Sequence, residues 1–592
     1  MTFHGTDRWG ILVLFLMISG SIIGGGVRTG GVTIARGAAV GSRHPAFPSL
    51  QDRLAMRSAM PTMQMFDSTP NDGLDDSAAF SDACRQACLM RQPLWLRPGT
   101  YDIDKNTTIT CTGDLLLIGM GEVHINLDGL LTFQADMADD AILLREDAPR
   151  GSRSIVVDDT NRCSVGDLVC IDTTVVAESS WKTPKREVHR IEAIQDAATL
   201  RFEEPLVFSY GTADEGLAIR AYKRRRITIV NVAFDVNDCQ LATHYFSGGT
   251  VLCGCRWAER DVGEQDGYLY SPGWSIGVTI SDAVFEGGYY GCIPACSRDV
   301  TFEWVKGYRC AGHVIAPNNW CYGVHVKNIS GSECGSLVDS HPSFEVHYSN
   351  VSGSITGMPN LRSLGGSIRN YNVESTMSTP GPLCLQNLDL QVDREIYDET
   401  TFLLQDFTLT TPNLDPNQSG NRAIVAYGRQ AVLKHVNWWW FDFHPGPDQD
   451  GPTNGFHEIQ ISDCNLTCLS LWRGEQVTIS NSHFASLIDA GNPYDVGIGV
   501  QAEARCSVDN TTFADYTHAI SVPWTRTIDF TDCLFTDCGT VFAASGMAIE
   551  AAFNRCEFVD VGGWGDIDTS HLQVQESTFT STRADSSKWL GQ

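Results

Sequence analysis

Between Trp274 and Tyr371 one short phrase of alternating apolar and polar positions is repeated five times: Val278-Thr279-Ile280, Val300-Thr301-Phe302, Val324-His325-Val326, Val346-His347-Tyr348 and Ile368-Arg369-Asn370. Their first positions lie 22, 24, 22 and 22 residues apart. A second apolar residue follows each at a similar offset: Phe285, Val305, Ile329, Val351 and Val373. Alternation over a few residues predicts strands, and the Gly, Ser, Asn and Asp around them predict turns. A fixed period of this length predicts a solenoid, in which each repeat buries its apolar face only by stacking on its neighbours. Helical repeats would place apolar residues three and four apart, which these segments do not. The expected fold is all-β, a parallel β-helix with one coil per repeat.

The phrase returns at Ile459-Gln460-Ile461, Val477-Thr478-Ile479, Cys506-Ser507-Val508, Ile528-Asp529-Phe530 and Leu572-Gln573-Val574. The main β-helix is therefore assigned to residues 226–592, opening at Ile227-Thr228-Ile229. Its rhythm is disturbed at Asp238–Pro272, a stretch holding Trp257, Asp261, Glu264, Asp266, Tyr268 and Tyr270. A second disturbance, 391–455, includes Trp438-Trp439-Trp440 and His444–Pro452. Long excursions from a regular scaffold are where binding concentrates. Residues 104–225 also break the rhythm. Ser154–Asp158, Val165–Val169, Val188–Ile194 and Thr199–Phe202 read as antiparallel strands, a small β insertion among the first coils. At the start, the apolar run 9–26 follows Arg8 and fits an export signal, a membrane anchor or a segment docking to a larger particle. Residues 27–61 read as a linker with a short helix at Ser49–Met60.

Residues 62–103 carry a resemblance. Asp72-Gly73, Asp75-Asp76, a helix over Ser77–Arg91 and then Arg97-Pro98-Gly99-Thr100-Tyr101 resemble the opening of the pectate-lyase-like superfamily. There a capping helix closes the first coil of a right-handed parallel β-helix. The preceding Ser49–Met60 is similar to the segment before this signature in phage tailspike proteins. Physical chemistry agrees: Asp75 or Asp76 can cap the helix, and Ala78, Ala79, Ala83 and Ala87 let it lie close over the open coil. The resemblance implies an extracellular or virion-borne protein that binds and cleaves an acidic or complex polysaccharide, and by likeness to tailspikes a homotrimer. It is silent on catalysis, because the superfamily holds lyases, hydrolases, epimerases and spikes that only bind. A non-catalytic glycan adhesin and a structural spike stay open beside the enzyme.

Charge narrows the partners. The formal net charge of −29 argues against electrostatically driven nucleic-acid binding. Residues 1–60 depart from it, with six arginines against two aspartates. Twenty cysteines would suit a disulfide set in a secreted protein. Their spread along the repeats favours free thiols serving as small buried hydrophobes. No phosphate-binding loop, nucleophile elbow or dinucleotide fingerprint is present.

Overlaying the coils locates candidate chemistry. Thirteen to seventeen residues after each first apolar position lies a second short strand, and adjacent coils stack about 4.8 Å apart. This brings His313, Asp339, His341 and Arg362 into one small area, although Arg362 has the opposite strand parity. Asp339 and His341 are the acid/base candidates, with His313 and Arg362 as substrate contacts. An acid, a base and a cation suit a uronic-acid lyase somewhat better than a hydrolase, which wants two carboxylates. The bland reading is a turn fixed by hydrogen bonds, with Arg362 paired to Asp339. A second row, one residue after each first apolar position, reads Thr279, Thr301, His325, His347, Arg369 and, by extension, Asp389. It could grip an anionic glycan, or be an ordinary solvated strand face. Glu303 nearby is an alternative catalytic carboxylate, and Trp304 and Tyr308 are ring platforms for sugar. No metal site is assigned and no cofactor is required; a divalent cation such as calcium would enter only with a lyase.

Overall fold

The computed structural model describes residues 68–581, apart from 137–140, 237–242, 246–247, 260–266, 380, 419, 427, 444–455, 472–473, 490–491, 493–494, 501–504, 522–526, 544–549, 566 and 568. The apolar run 9–26, the linker with its helix, Asp238, Asp261, Glu264, Asp266 and His444–Pro452 lie outside the described residues. Among the described residues no helix is long and apolar enough to cross a membrane.

The helix runs Ser77–Met90 and buries Phe80, Ala83, Cys84, Ala87 and Cys88 along one stripe. Its small residues allow the close approach to the first coil that their spacing predicts. The N-cap Asp76 makes no side-chain cap hydrogen bond, and the Asp75 carboxylate before it accepts the Ser77 N–H at 3.0 Å. Asp76 instead accepts from the Ser68 hydroxyl and the Asp102 N–H. The helix ends where Arg91 turns left-handed and its N–H reaches the last carbonyls.

Coils begin with the strand Leu94–Leu96, well before Arg226. That strand pairs in parallel with Leu115–Gly119, which pairs with Ile227–Val230, and so on to Leu572–Gln575. Within 104–225, coil strands are followed by the β insertion, whose five-stranded antiparallel sheet spans Ser154–Tyr222. Likewise the described part of 391–455 includes regular coil strands. Thr401–Thr410 and Gly428–Phe443 pair as ordinary coil strands, and Trp438 is core. Bulky residues had disguised the alternation.

Parallel in-register pairing stacks like on like. Ile459, Val477, Cys506, Ile528, Ala551 and Leu572 form one interior row. Phe484, Phe513, Phe535, Phe558 and Phe579 form another, with ring centroids 5.2, 4.9, 5.1 and 4.7 Å apart. Each buried ring contributes roughly 1.5–3 kcal/mol. The nineteen described cysteines are unbridged, all buried except Cys253 and Cys384.

One register differs from the spacing. Val278, Val300, Val324 and Val346 align as expected, but Val346 pairs with Gly366 and Tyr348 with Ile368. The fifth coil is two residues shorter than the pattern implied. A Cβ at Gly366 would lie 2.1 Å from the Val346 carbonyl oxygen, so the tight coil needs glycine. Consequently Ser367, not Arg369, follows His347 in the second row. Asp389 is absent from that row too: it is buried and accepts from the Ser179 hydroxyl.

The insertion is not a free appendage. Its interior, including Ile155, Ile171, Ile191, Phe202 and Phe208, is continuous with Trp320, Phe344, Leu364 and Leu390 of the coils. At its tip, Glu178 bridges to Leu390 and the Ser179 N–H reaches the Asp389 carbonyl at 3.1 Å.

Candidate functional site

Three short strands, Tyr290–Cys292, His313–Ile315 and Ser336–Val338, lie side by side on one sheet. Asp339 and His341 continue the third strand, their N–H groups donating to the Ile315 and Pro317 carbonyls at 3.0 and 2.8 Å. On the next coil, Ser340 pairs with Leu361, which sets Arg362 beside His341. That pairing, with the register break after it, overcomes the parity objection: Arg362 joins the cluster.

His313 Nδ1 lies 3.4 Å from Asp339 Oδ2, and His341 Nε2 lies 3.9 Å from Asp339 Oδ1. The Asp339 side chain is 1% exposed, that of His341 7% and that of His313 20%. Asp339 Oδ2 accepts the Asn360 N–H at 2.9 Å, and the Tyr348 hydroxyl donates to the Asp339 carbonyl. The Tyr290 ring faces His313 at 5.3 Å between centroids and meets His341 edge-on at 6.2 Å.

Such contacts would be ion pairs if both partners were charged, but burial argues otherwise. Desolvation lowers His313 to about 3, with the neighbouring His341 adding to it. Desolvation lowers His341 to about 4, helped by the Arg362 charge. The same burial pushes Asp339 well above the usual carboxylate range. Neutral imidazoles beside a neutral carboxyl are the form this environment favours.

The insertion supplies the roof. The Trp181 ring stacks on His341 at 4.8 Å and 24°, and the Arg362 guanidinium sits 5.3 Å from the same ring. Trp181 is held from below by its own loop, where the Glu178 carboxylate accepts the Ser180 and Trp181 N–H groups, each at 2.9 Å. Yet the ring is 51% exposed, so it covers one flank and leaves the other to solvent. Neither Trp181 nor the part played by Tyr290 follows from coil spacing. Trp181 arrives from 160 residues upstream of His341, and no periodic pattern connects the two.

The remaining candidates sit on other stretches of the coils, along Arg298–Tyr308, Cys321–Cys334 and the part of Ser340–Ile355 that follows its register break. His325 and His347 stack at 4.9 Å and 8°, and His347 Nδ1 lies 3.0 Å from the Ser367 hydroxyl. Glu303 pairs in register with Lys327, Ser349 and then Arg369. Trp304 is 59% and Tyr308 36% exposed. Trp304 occupies a left-handed corner, φ 59°, where the following coils carry Asn328, Asn350 and Asn370. Those asparagines form a ladder with successive 2.8 Å hydrogen bonds. Trp257, Tyr270 and Trp320 are buried.

Among the described residues His313, Asp339 and His341 are also the one trio whose potential ligand atoms all lie within 4.8 Å of one another. Two imidazoles and one carboxylate do not suit calcium, which takes six to eight oxygens.

No protein-family model and no curated protein sequence matches the chain. Solved structures similar to it include the tailspike protein gp49 from Pseudomonas phage LKA1, 15% identical over 81% of this chain and 77% of that one, TM-score 0.44. The gp54 tailspike of Acinetobacter baumannii bacteriophage AP22, solved with a capsular saccharide, is 11% identical over 90% and 79%, TM-score 0.35. The A-module of the Azotobacter vinelandii mannuronan C-5 epimerase AlgE6 is 9% identical over 88% and 98%, TM-score 0.26. What this chain shares with them is the parallel β-helix.

Proposed function

We propose that this protein binds an extracellular polysaccharide and cleaves it by β-elimination at a uronic-acid residue, with His313, Asp339, His341 and Arg362 as the site. The observation that carries the reading is the buried cluster in which two imidazoles are held neutral beside one carboxyl and one guanidinium. Elimination needs three things: neutralisation of the uronate carboxylate, a base for the C5 proton, and a proton for the departing C4 oxygen. Arg362 and the Asp339 carboxyl supply the first. The imidazole of His341 or His313 takes the proton while the C4–C5 double bond forms and the C4–O bond breaks. Tyr290, whose ring packs against both imidazoles, protonates the leaving oxygen through its hydroxyl. Hydrolysis would need a second carboxylate about 5–9.5 Å away, and Asp339 is the single carboxylate of the cluster. The exposed flank of Trp181 offers a ring for the sugar's C–H face. A virion or cell-surface setting and a homotrimer belong to the same reading, carried by the tailspike-like opening of the sequence.

The test incubates the full chain with a panel of uronic-acid and neutral polysaccharides, following absorbance near 235 nm and reducing ends together. Both rise for a lyase. Reducing ends alone indicate a hydrolase. Binding without products makes the protein an adhesin and removes the elimination reading.

A further inference from the structure

We infer that the His313–Asp339–His341 trio is a binding site for a divalent transition-metal ion of the zinc class. The binding stands on geometry; its consequence for catalysis rests on the elimination reading above. Zinc bonds to imidazole nitrogen and carboxylate oxygen at about 2.0–2.2 Å, and tetrahedral angles then set donor atoms about 3.3 Å apart. Here His313 Nδ1 lies 3.4 Å from Asp339 Oδ2 and His341 Nε2 3.9 Å from the other oxygen, Oδ1, and one donor atom from each of the three residues lies within 4.8 Å of the others. Small side-chain rotations close that gap, and three protein donors leave a fourth position open, as in sites that exchange water.

A second observation points to a ligand. His313 Nδ1 is fully covered, faces Asp339 and has no hydrogen-bond partner. Buried polar atoms are nearly always satisfied, and an orphan at such a position calls for a missing partner. The supporting shell is in place too. The Asn360 N–H fixes Asp339 Oδ2, and Trp181 fixes the plane of the His341 ring; outer contacts of this kind orient metal ligands. Two nitrogens and one oxygen select the zinc class over calcium or magnesium. The Arg362 charge acts on both Asp339 and His341 and opposes the ion, which makes the site a place for a reversible visitor rather than a structural metal. A bound ion occupies the imidazole lone pairs needed to accept the C5 proton, so the ion switches elimination off.

The experiment titrates Co²⁺, a spectroscopic stand-in for zinc, into the metal-free full chain. The expected result is one ion per chain, with weak visible d–d bands, no near-ultraviolet thiolate charge-transfer band, and displacement by Zn²⁺. His341→Gln and the more exposed His313→Ala should each weaken binding by more than the roughly 10–100-fold typical of losing an outer-shell partner. His325→Ala, outside the trio, should leave it unchanged. Absence of d–d bands, a thiolate band, or binding unaltered in both variants overturns the site. If Co²⁺ binds as expected yet no polysaccharide is cleaved, the elimination reading falls and the metal site stands. If cleavage is found but no metal binds, the reverse holds.

Discussion

Replacing His341 by Gln removes a base that the fold keeps from taking a proton, and this has a computable effect on stability against pH. Burial lowers His341 from 6.5 to about 4. A base with a depressed folded-state pKa binds fewer protons folded than unfolded. Its stabilising contribution is therefore complete above pH 6.5 and is lost as pH falls towards 4. At pH 5 the unfolded imidazole is about 97% protonated and the folded one about 10%, and integrating that difference from pH 7 gives a loss of about 2 kcal/mol. His341 is only 7% exposed, so solvent screening takes little from this figure. Gln carries no proton, so the variant lacks the loss, although it forfeits the ring stacking on Trp181, worth about 1 kcal/mol. The assay is urea unfolding of both proteins at pH 7, 6 and 5. The wild type should be the more stable at pH 7 by about 1 kcal/mol and the less stable at pH 5 by a similar amount, the curves crossing near pH 6. His313 is depressed by the same burial and additionally by His341, so its release in the variant flattens the curve further. Parallel pH profiles would show that His341 titrates normally and that the neutral cluster is wrong.

Asp339→Asn should abolish cleavage while polysaccharide binding, read by co-sedimentation, survives. Because burial raises the Asp339 carboxyl well above the usual carboxylate range, the variant should unfold at pH 7 at no lower urea concentration than wild type. Gly353→Ala should cost several kcal/mol, or give no folded protein. The new Cβ would lie 2.0 Å from the Gly331 carbonyl oxygen at φ 141°, where no side chain can yield; a midpoint equal to wild type would refute the close coil contact. Phe513→Ala removes the ring between Phe484 and Phe535. It should lower stability by about 3–5 kcal/mol, measured by the same denaturation.

The interior rows were legible because a parallel stack repeats its chemistry once per coil. The alignment of Ile459, Val477, Cys506, Ile528 and Leu572 in the sequence is the alignment in space. Where the interior filled with Trp and Phe, as at Trp438, the same coil looked like an interruption, since alternation of hydrophobicity says nothing of residue size. The clustering of His313, Asp339 and His341 followed from coil arithmetic. The inclusion of Arg362 and the exclusion of Arg369 from the histidine row depended on a coil shorter than the pattern, and Asp389 left the row because the next coil is longer and continues it at Leu403. Spacing cannot show such a contraction, because the polar corner residues that absorb it carry no hydrophobic signal.

The sequence by itself determined the solenoid, the capping helix, the insertion and the row on which three of the site residues meet. Each of these is an effect of local periodicity or of a turn that specific residues require. Only the tertiary structure decided that Trp181 of the insertion covers His341, that Tyr290 faces His313, and that Glu303, His325 and His347 lie on another stretch of the coil strands. Those relations join segments whose separation along the chain has no period. They are set by how the insertion's apolar face packs on Trp320, Phe344 and Leu390, a matter of shape complementarity that one-dimensional patterning does not encode.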